Sequence, residues 1–199
     1  MILKICGITS AADAAEAINL GATAIGFNFY PRSPRYIAPE HAKTIATPGA
    51  RRVGVFVNET RARVEEIARL VSLDVAQLHG DEIPEHYPSR LAVWKAARVT
   101  AGFDLSQYDG CPAEALLLDG PAADLYGGAG RVFDWNLVGV AARRIILAGG
   151  LDASNVAQAV TLARPWGVDA CSRIESAPGR KDYIKMREFL QAAKAALCV

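Results

Sequence analysis

Cys6 closes the apolar run Ile2-Leu-Lys-Ile5 and is followed by Gly7. Asp119 closes Ala115-Leu-Leu-Leu118 in the same way, and His79 ends Asp74-Val-Ala-Gln-Leu78. Gly149-Gly150 follow Arg144-Ile-Ile-Leu-Ala148, and Ser172 with Arg173 stands at the end of the last such run, Gly167-Val-Asp-Ala-Cys171. Each chemistry-bearing group thus sits where a short apolar or β-branched run meets turn residues. A thiol and a carboxyl can divide a proton transfer between them as base and acid. Tandem glycines ahead of a helix offer backbone N–H groups and the positive end of its dipole, which suits a phosphate. Every one of these residues also has an ordinary reading. Cysteine is a small buried hydrophobe, Asp-Gly is a common turn, and Gly-Gly can be a simple strand-to-helix connection.

What must position them is a repeated strand-then-helix unit. Strands are expected at Ile2–Ile5, Ala22–Phe29, Arg52–Val57, Asp74–His79, Leu91–Ala97, Ala115–Asp119, Arg144–Ala148 and Gly167–Ser172. Helices are expected from Ser10 to before Gly21, from Pro39 to about Ala46, over Thr60–Val71, and briefly over Ile83–Tyr87. The crossover at 102–112 reads as irregular, and a glycine-rich loop runs from Gly120 to about Val132. A short helix spans about Asn136–Ala141, one capped by Asp152 or Ser154 runs to about Ala163, and Asp182 opens the last, to about Ala196. The strands are continuous apolar runs, as buried parallel strands should be. Eight such units predict an α/β fold of the (β/α)8 TIM-barrel kind, in which the strand C-termini converge on one mouth. No linker composition marks a second domain, so residues 1–199 read as one catalytic barrel.

Composition narrows the function. There are 22 basic and 21 acidic residues, a net charge of +1, which gives no pull towards nucleic acid or an anionic membrane. The N-terminus has no apolar signal segment, and no run approaches a membrane span. The four cysteines are scattered without a C-x-x-C pair, so neither zinc nor a disulfide framework is expected, and a cytoplasmic location follows. Cys111 and Cys198 read as buried hydrophobes. No dinucleotide fingerprint, Walker pattern or metal-ligand spacing occurs. These residues suggest acid–base chemistry on a small phosphorylated substrate, without metal or redox cofactor, and the competing class is a non-catalytic phosphosugar-binding barrel that binds without turnover.

The chain also resembles phosphoribosylanthranilate isomerase of tryptophan biosynthesis over essentially its whole length. The motifs that carry this, in order, are Lys4-Ile-Cys-Gly-Ile-Thr9, Ser33-Pro-Arg-Tyr36, Val53-Gly-Val-Phe56, Gln77-Leu-His-Gly80 and Leu117-Leu-Asp119. Gly127-Gly-Ala-Gly130, Phe133-Asp-Trp135, Leu147-Ala-Gly-Gly-Leu151, Gly167-Val-Asp169 and Glu175-Ser-Ala-Pro-Gly179 complete them. The resemblance implies an Amadori rearrangement of N-(5-phosphoribosyl)anthranilate with Asp119 as general acid and Cys6 as general base. Those roles need a protonated carboxyl and a thiolate, the reverse of what ordinary groups present near pH 7. Arg35 would pair with the anthranilate carboxylate, and Gly149, Gly150 and the loop after the last strand would hold the phosphate. Gln77, His79, Asp169, Ser172 and Arg173 complete the expected substrate contacts. A monomer or homodimer is expected, with the phosphosugar as its small-molecule partner. The related sugar isomerase of histidine biosynthesis carries aspartate at the end of its first strand, which Cys6 argues against. A metal-dependent pentose-phosphate epimerase would need His and Asp ligands at several strand ends. Two departures from the family pattern stand out. Cys171-Ser172-Arg173 replaces the usual Ser-Ser-Gly, and Ala129 replaces a usual Thr.

Overall fold

The computed structural model describes residues 1–120, 132–138 and 143–197. Eight parallel strands close into a barrel in sequence order, with the eighth pairing back to the first. They are β1 Ile2–Ile5, β2 Ala24–Asn28, β3 Arg51–Phe56, β4 Val75–Leu78, β5 Ala92–Arg98, β6 Ala115–Asp119, β7 Ile145–Leu147 and β8 Gly167–Ala170. Among the described residues, five α-helices lie between or after them: α1 Ala11–Asn19, α2 Pro39–Thr44, α3 Arg61–Val71, α4 Val156–Ala163 and α5 Tyr183–Leu197. The expected (β/α)8 architecture is therefore the observed one.

The helix starts follow their capping chemistry. Ser10 Oγ accepts the N–H of Asp13 at 3.1 Å, and Thr60 Oγ1 accepts that of Arg63 at 3.3 Å. Asp182 Oδ1 receives the N–H groups of Ile184 and Lys185 and opens α5. At α4 the cap position falls to Asn155 instead, with no side-chain capping bond. The carboxylate of Asp152 is turned back onto Ser154, whose N–H it accepts at 2.9 Å.

Among the described residues, three crossovers show a 3-10 turn where helix was expected or the chain read as irregular: Pro84–His86, Leu105–Tyr108 and Trp135–Val138. A 3-10 turn advances farther per residue than an α-helix, so it carries a short connection across the barrel wall. Residues 139–141 of the helix expected at Asn136–Ala141 lie outside the described residues. So do most of the glycine-rich loop, including Ala129, and Cys198. A small antiparallel hairpin, β9 Glu175–Ala177 with β10 Arg180–Lys181, was not anticipated. Pro178-Gly179 turns it, with Gly179 at φ +81°.

Side chains alternate between the barrel interior and the helical shell. On β1, Leu3 and Ile5 pack into the shell core, whereas Ile2 belongs to the interior cluster with Val53, Val75, Trp94, Leu117 and Ile146. Trp94 is fully buried there and donates its indole N–H to Glu114 at 2.9 Å. Glu114 also takes Arg51 and Arg144, at 3.1 and 3.2 Å. These residues cluster at the N-terminal ends of the strands, the end of a barrel that carries stability rather than chemistry.

Candidate active site

The β1–β8 seam sets the first half of the site. Its register pairs Ile2 with Gly167 and Lys4 with Asp169, all on the interior face. Lys4 is fully buried, and its ammonium lies 2.8 Å from Asp169 Oδ2. The ladder continues one step past the strand ends. The Cys6 N–H donates to the Ala170 carbonyl at 3.0 Å, as the Ile2 N–H does to Trp166. Cys6 therefore stands beside Cys171, one layer above the Lys4–Asp169 pair. Gly26 on β2 makes room for the thiol, because a Cβ there would come within 2.8 Å of Cys6 Sγ.

This environment selects the thiolate. The neighbouring Cys171 thiol favours the charged form first, and Lys4 adds its charge from below. Together they hold the Cys6 thiol well below its ordinary value, although burial opposes them. Burial also works against the charge on Lys4, but Asp169 and Cys6 more than offset it and raise the ammonium. Asp169 is pushed up to about 7, first by burial and further by the charges of Cys6 and Asp119, against the pull of Lys4. The two partners shift the same way for different reasons. Lys4 gains from its anionic neighbours, while Asp169 is a buried anion that faces others. Among the described residues, Asp169 Oδ1 is buried without a hydrogen-bond partner.

β4 and β6 supply the second half. Gln77 Nε2 lies 3.1 Å from His79 Nδ1, and His79 Nε2 lies 3.3 Å from Asp119 Oδ2. With the Gln77 amide donating, Nε2 carries the imidazole proton and points it at Asp119. Asp119 and His79 line a cavity of about 510 Å³ at the carboxyl end of the strands, together with Lys95, Arg98, Thr100 and Tyr108. Cys6, Gly149 and Gly150 are not part of that lining. Asp169 lies between the two halves, within the electrostatic reach of both Cys6 and Asp119.

The remaining candidates surround this pair. Gly149 and Gly150 both adopt left-handed backbone, with φ +79° and +66°, which glycine reaches without strain. Arg173 follows β8 and donates to Asp152 Oδ2 at 3.0 Å, two residues past those glycines. Ser172 starts the 3-10 turn Ser172–Ile174. Arg35 meets a protein carboxylate, that of Glu175, through Nε at 2.9 Å and Nη2 at 2.7 Å. Lys181 reaches the same carboxylate at 2.9 Å. Burial pushes Glu175 up, but the Arg35 hydrogen bonds and the Lys181 charge hold it below the usual range. Gly7, at φ +71°, lets Arg35 and Cys171 approach, since a Cβ would meet Arg35 Cδ at 2.8 Å and Cys171 Sγ at 3.0 Å.

Two clusters thus form from the expected residues, Cys6 with Asp169, and Gln77 with His79 and Asp119. Gly149, Gly150 and Arg173 flank them on the β7–β8 side. Lys4, Glu175 and Lys181 were missed as site residues. Lys4 had a signal, a lone charge inside a buried apolar strand. Such a residue is tolerated only with a partner.

Fold and mouth together place the chain among the (β/α)8-barrel enzymes. Residues 3–192 match the family model of N-(5'-phosphoribosyl)anthranilate (PRA) isomerase, and the chain belongs to that family. It is 72% identical to the N-(5'-phosphoribosyl)anthranilate isomerase of Solibacter usitatus over 99% of both chains. It is 45% identical to that of Trichlorobacter lovleyi over 98% of both. Among solved structures, the Thermotoga maritima phosphoribosyl anthranilate isomerase superposes with a TM-score of 0.87 at 37% identity. That match covers 98% of this chain and 100% of the other. Another solved isomerase, with a TM-score of 0.85 at 36% identity and coverage of 98% and 100%, holds reduced 1-(o-carboxyphenylamino)-1-deoxyribulose 5-phosphate.

Proposed function

We propose that Cys6 and Asp119 are the base and acid by which this isomerase of tryptophan biosynthesis converts N-(5'-phosphoribosyl)anthranilate to 1-(2-carboxyphenylamino)-1-deoxyribulose 5-phosphate. Asp119 gives a proton to the furanose ring oxygen. The C1–O bond breaks, and the anilino nitrogen lone pair forms the Schiff base. The Cys6 thiolate takes the proton from C2, leaving an enolamine. Proton gain at C1 and loss from the C2 hydroxyl complete the ketone, so substrate and product are isomers.

The observation that carries this reading is the Cys6 thiol one layer above the buried Lys4–Asp169 pair, with Asp169 within electrostatic reach of both Cys6 and Asp119. His79 orients the Asp119 carboxyl. Asp169 Oδ1 and Gln77 Oε1, buried without a partner among the described residues, are acceptors suited to sugar hydroxyls. Gly149-Gly150 and Ser172 take the phosphate, with Arg173 at its edge, and Arg35 faces the anthranilate carboxylate beside its protein carboxylate. A fluorescence assay with freshly made phosphoribosylanthranilate, run beside the corresponding histidine-pathway substrate, tests the reading. Turnover of the first is expected. Turnover of the second alone would overturn it. Monomers and dimers are both compatible with this site, and a structure of monomers generated from the dimeric Thermotoga maritima enzyme exists. No described helix is long and apolar enough to cross a membrane.

A further inference from the structure

Cys171 places a second thiol directly beside the first. The register Ile5↔Ala170 and the Cys6 N–H to Ala170 carbonyl bond make Cys6 and Cys171 cross-strand neighbours. Neighbouring strands lie about 4.8 Å apart, inside the Cα separation of roughly 4.4–6.8 Å that a disulfide spans. Interior alternation points both side chains to the same side, after Ile2 and Lys4 on one strand and Gly167 and Asp169 on the other. Each thiol shifts the other's acidity, lowering that of Cys6 and raising that of Cys171, as neighbouring groups do. Gly7, between them and Arg35, has no side chain to intervene. Cys171 is half-buried, not sealed, and the Lys181 ammonium lies 3.9 Å from its sulfur. Both thiols are free in this structure.

We propose that Cys6 and Cys171 are a reversible modification site, forming a disulfide across the β1–β8 seam when a peroxide-class oxidant enters the barrel mouth. The Cys6 thiolate attacks one peroxide oxygen, so an S–O bond forms and the O–O bond breaks. Hydroxide leaves and is protonated to water, with sulfur oxidised and peroxide reduced. The Cys171 thiol then gives up its proton, and its sulfur attacks Cys6 Sγ. The S–S bond forms, the S–O bond breaks, and a second water leaves. Two thiols and one hydrogen peroxide become a disulfide and two waters, and a dithiol reverses the change. The loss of turnover that follows rests on the reading of Cys6 as base. The disulfide itself does not.

The test treats the full chain with hydrogen peroxide, quenches with catalase, alkylates remaining thiols and maps peptides by mass. The expected result is a Cys6–Cys171 linked peptide, an intact mass lower by two hydrogens, and at least a roughly tenfold loss of turnover that dithiothreitol restores. In Cys171→Ser the Cys6 sulfenic acid has no resolving thiol and proceeds to sulfinic acid under excess peroxide. Its lost turnover is therefore not restored. Alkylation of both cysteines after oxidation, linkage of Cys6 to another cysteine, or equal recovery in Cys171→Ser would overturn the proposal. A Cys6–Cys171 link with turnover intact would overturn the role of Cys6 as base and leave the modification site standing.

Discussion

Lys4 and Asp169 meet at 2.8 Å on adjacent strands inside the barrel, one layer below Cys6. Neither residue faces bulk solvent. The cation is spent on two anions, the carboxylate beside it and the thiolate above it. Thiolate character at Cys6 is therefore a property of the β1–β8 seam as well as of the cysteine.

Lys4→Met should separate these effects. The side chain keeps its volume and loses its charge. The midpoint for alkylation of Cys6 against pH should rise by about one unit or more, the equivalent of roughly 1.4 kcal/mol. Turnover near neutrality should fall about 10- to 100-fold and recover partly as pH rises. An unmoved alkylation profile would remove Lys4 from the account.

Asp169 gives the fold a pH signature. An unfolded aspartate ionises near 3.9, whereas in the barrel Asp169 is pushed up to about 7. The folded form binds more protons between those values. Its contribution is fully present below about pH 4 and is lost as pH rises towards 7. The limit is roughly 4 kcal/mol, three units at 1.36 kcal/mol each. Urea unfolding of wild type and Asp169→Asn from acid to neutral pH should show the variant gaining on wild type. Parallel curves would mean that Asp169 ionises normally.

Glu175 holds Arg35 and Lys181 with one carboxylate, at 2.7 and 2.9 Å. Glu175→Gln leaves two poorly exposed cations without their counter-charge, which typically costs about 3–5 kcal/mol. A drop of that order in unfolding free energy is expected, with a raised KM as Arg35 loses its orientation. A loss below about 0.5 kcal/mol would show the triad to be incidental.

Arg173 makes an exposed pair with Asp152, so its stability contribution is about 0–1 kcal/mol. Its expected part is in phosphate binding. Arg173→Gly should raise KM several-fold and flatten its dependence on salt while leaving the melting temperature nearly unchanged. If affinity and salt dependence stay as they were, Arg173 is no phosphate contact.

The barrel was legible in the sequence because the strands are mostly apolar runs, not strict alternations, bounded by turn residues. Asp119 closes Ala-Leu-Leu-Leu, and the structure ends β6 there. The helices expected from Ser10 and from Thr60 start there, each capped by that side chain, whereas the cap expected at Asp152 or Ser154 falls to Asn155, because the Asp152 carboxylate turns to Ser154. The β9–β10 hairpin is only five residues of strand around a Pro-Gly turn, too short for any periodicity to show. Arg35 was expected at a substrate carboxylate, and the structure pairs it with the carboxylate of Glu175. That pairing joins residues 140 positions apart, which only the closed barrel brings together. The layer of Lys4 and Asp169 beneath Cys6 and Cys171 depends on strand register in the same way.

In the proposed mechanism Cys6 and Asp119 each move one proton of the rearrangement. Single-turnover rates of Cys6→Ser and Asp119→Asn, measured with phosphoribosylanthranilate and paired with product-analogue affinity, test it most directly. Each variant should lose about 10²- to 10⁴-fold in rate, the usual worth of a positioned acid or base, and still bind the product analogue. A near-wild-type rate in either variant would contradict the claim.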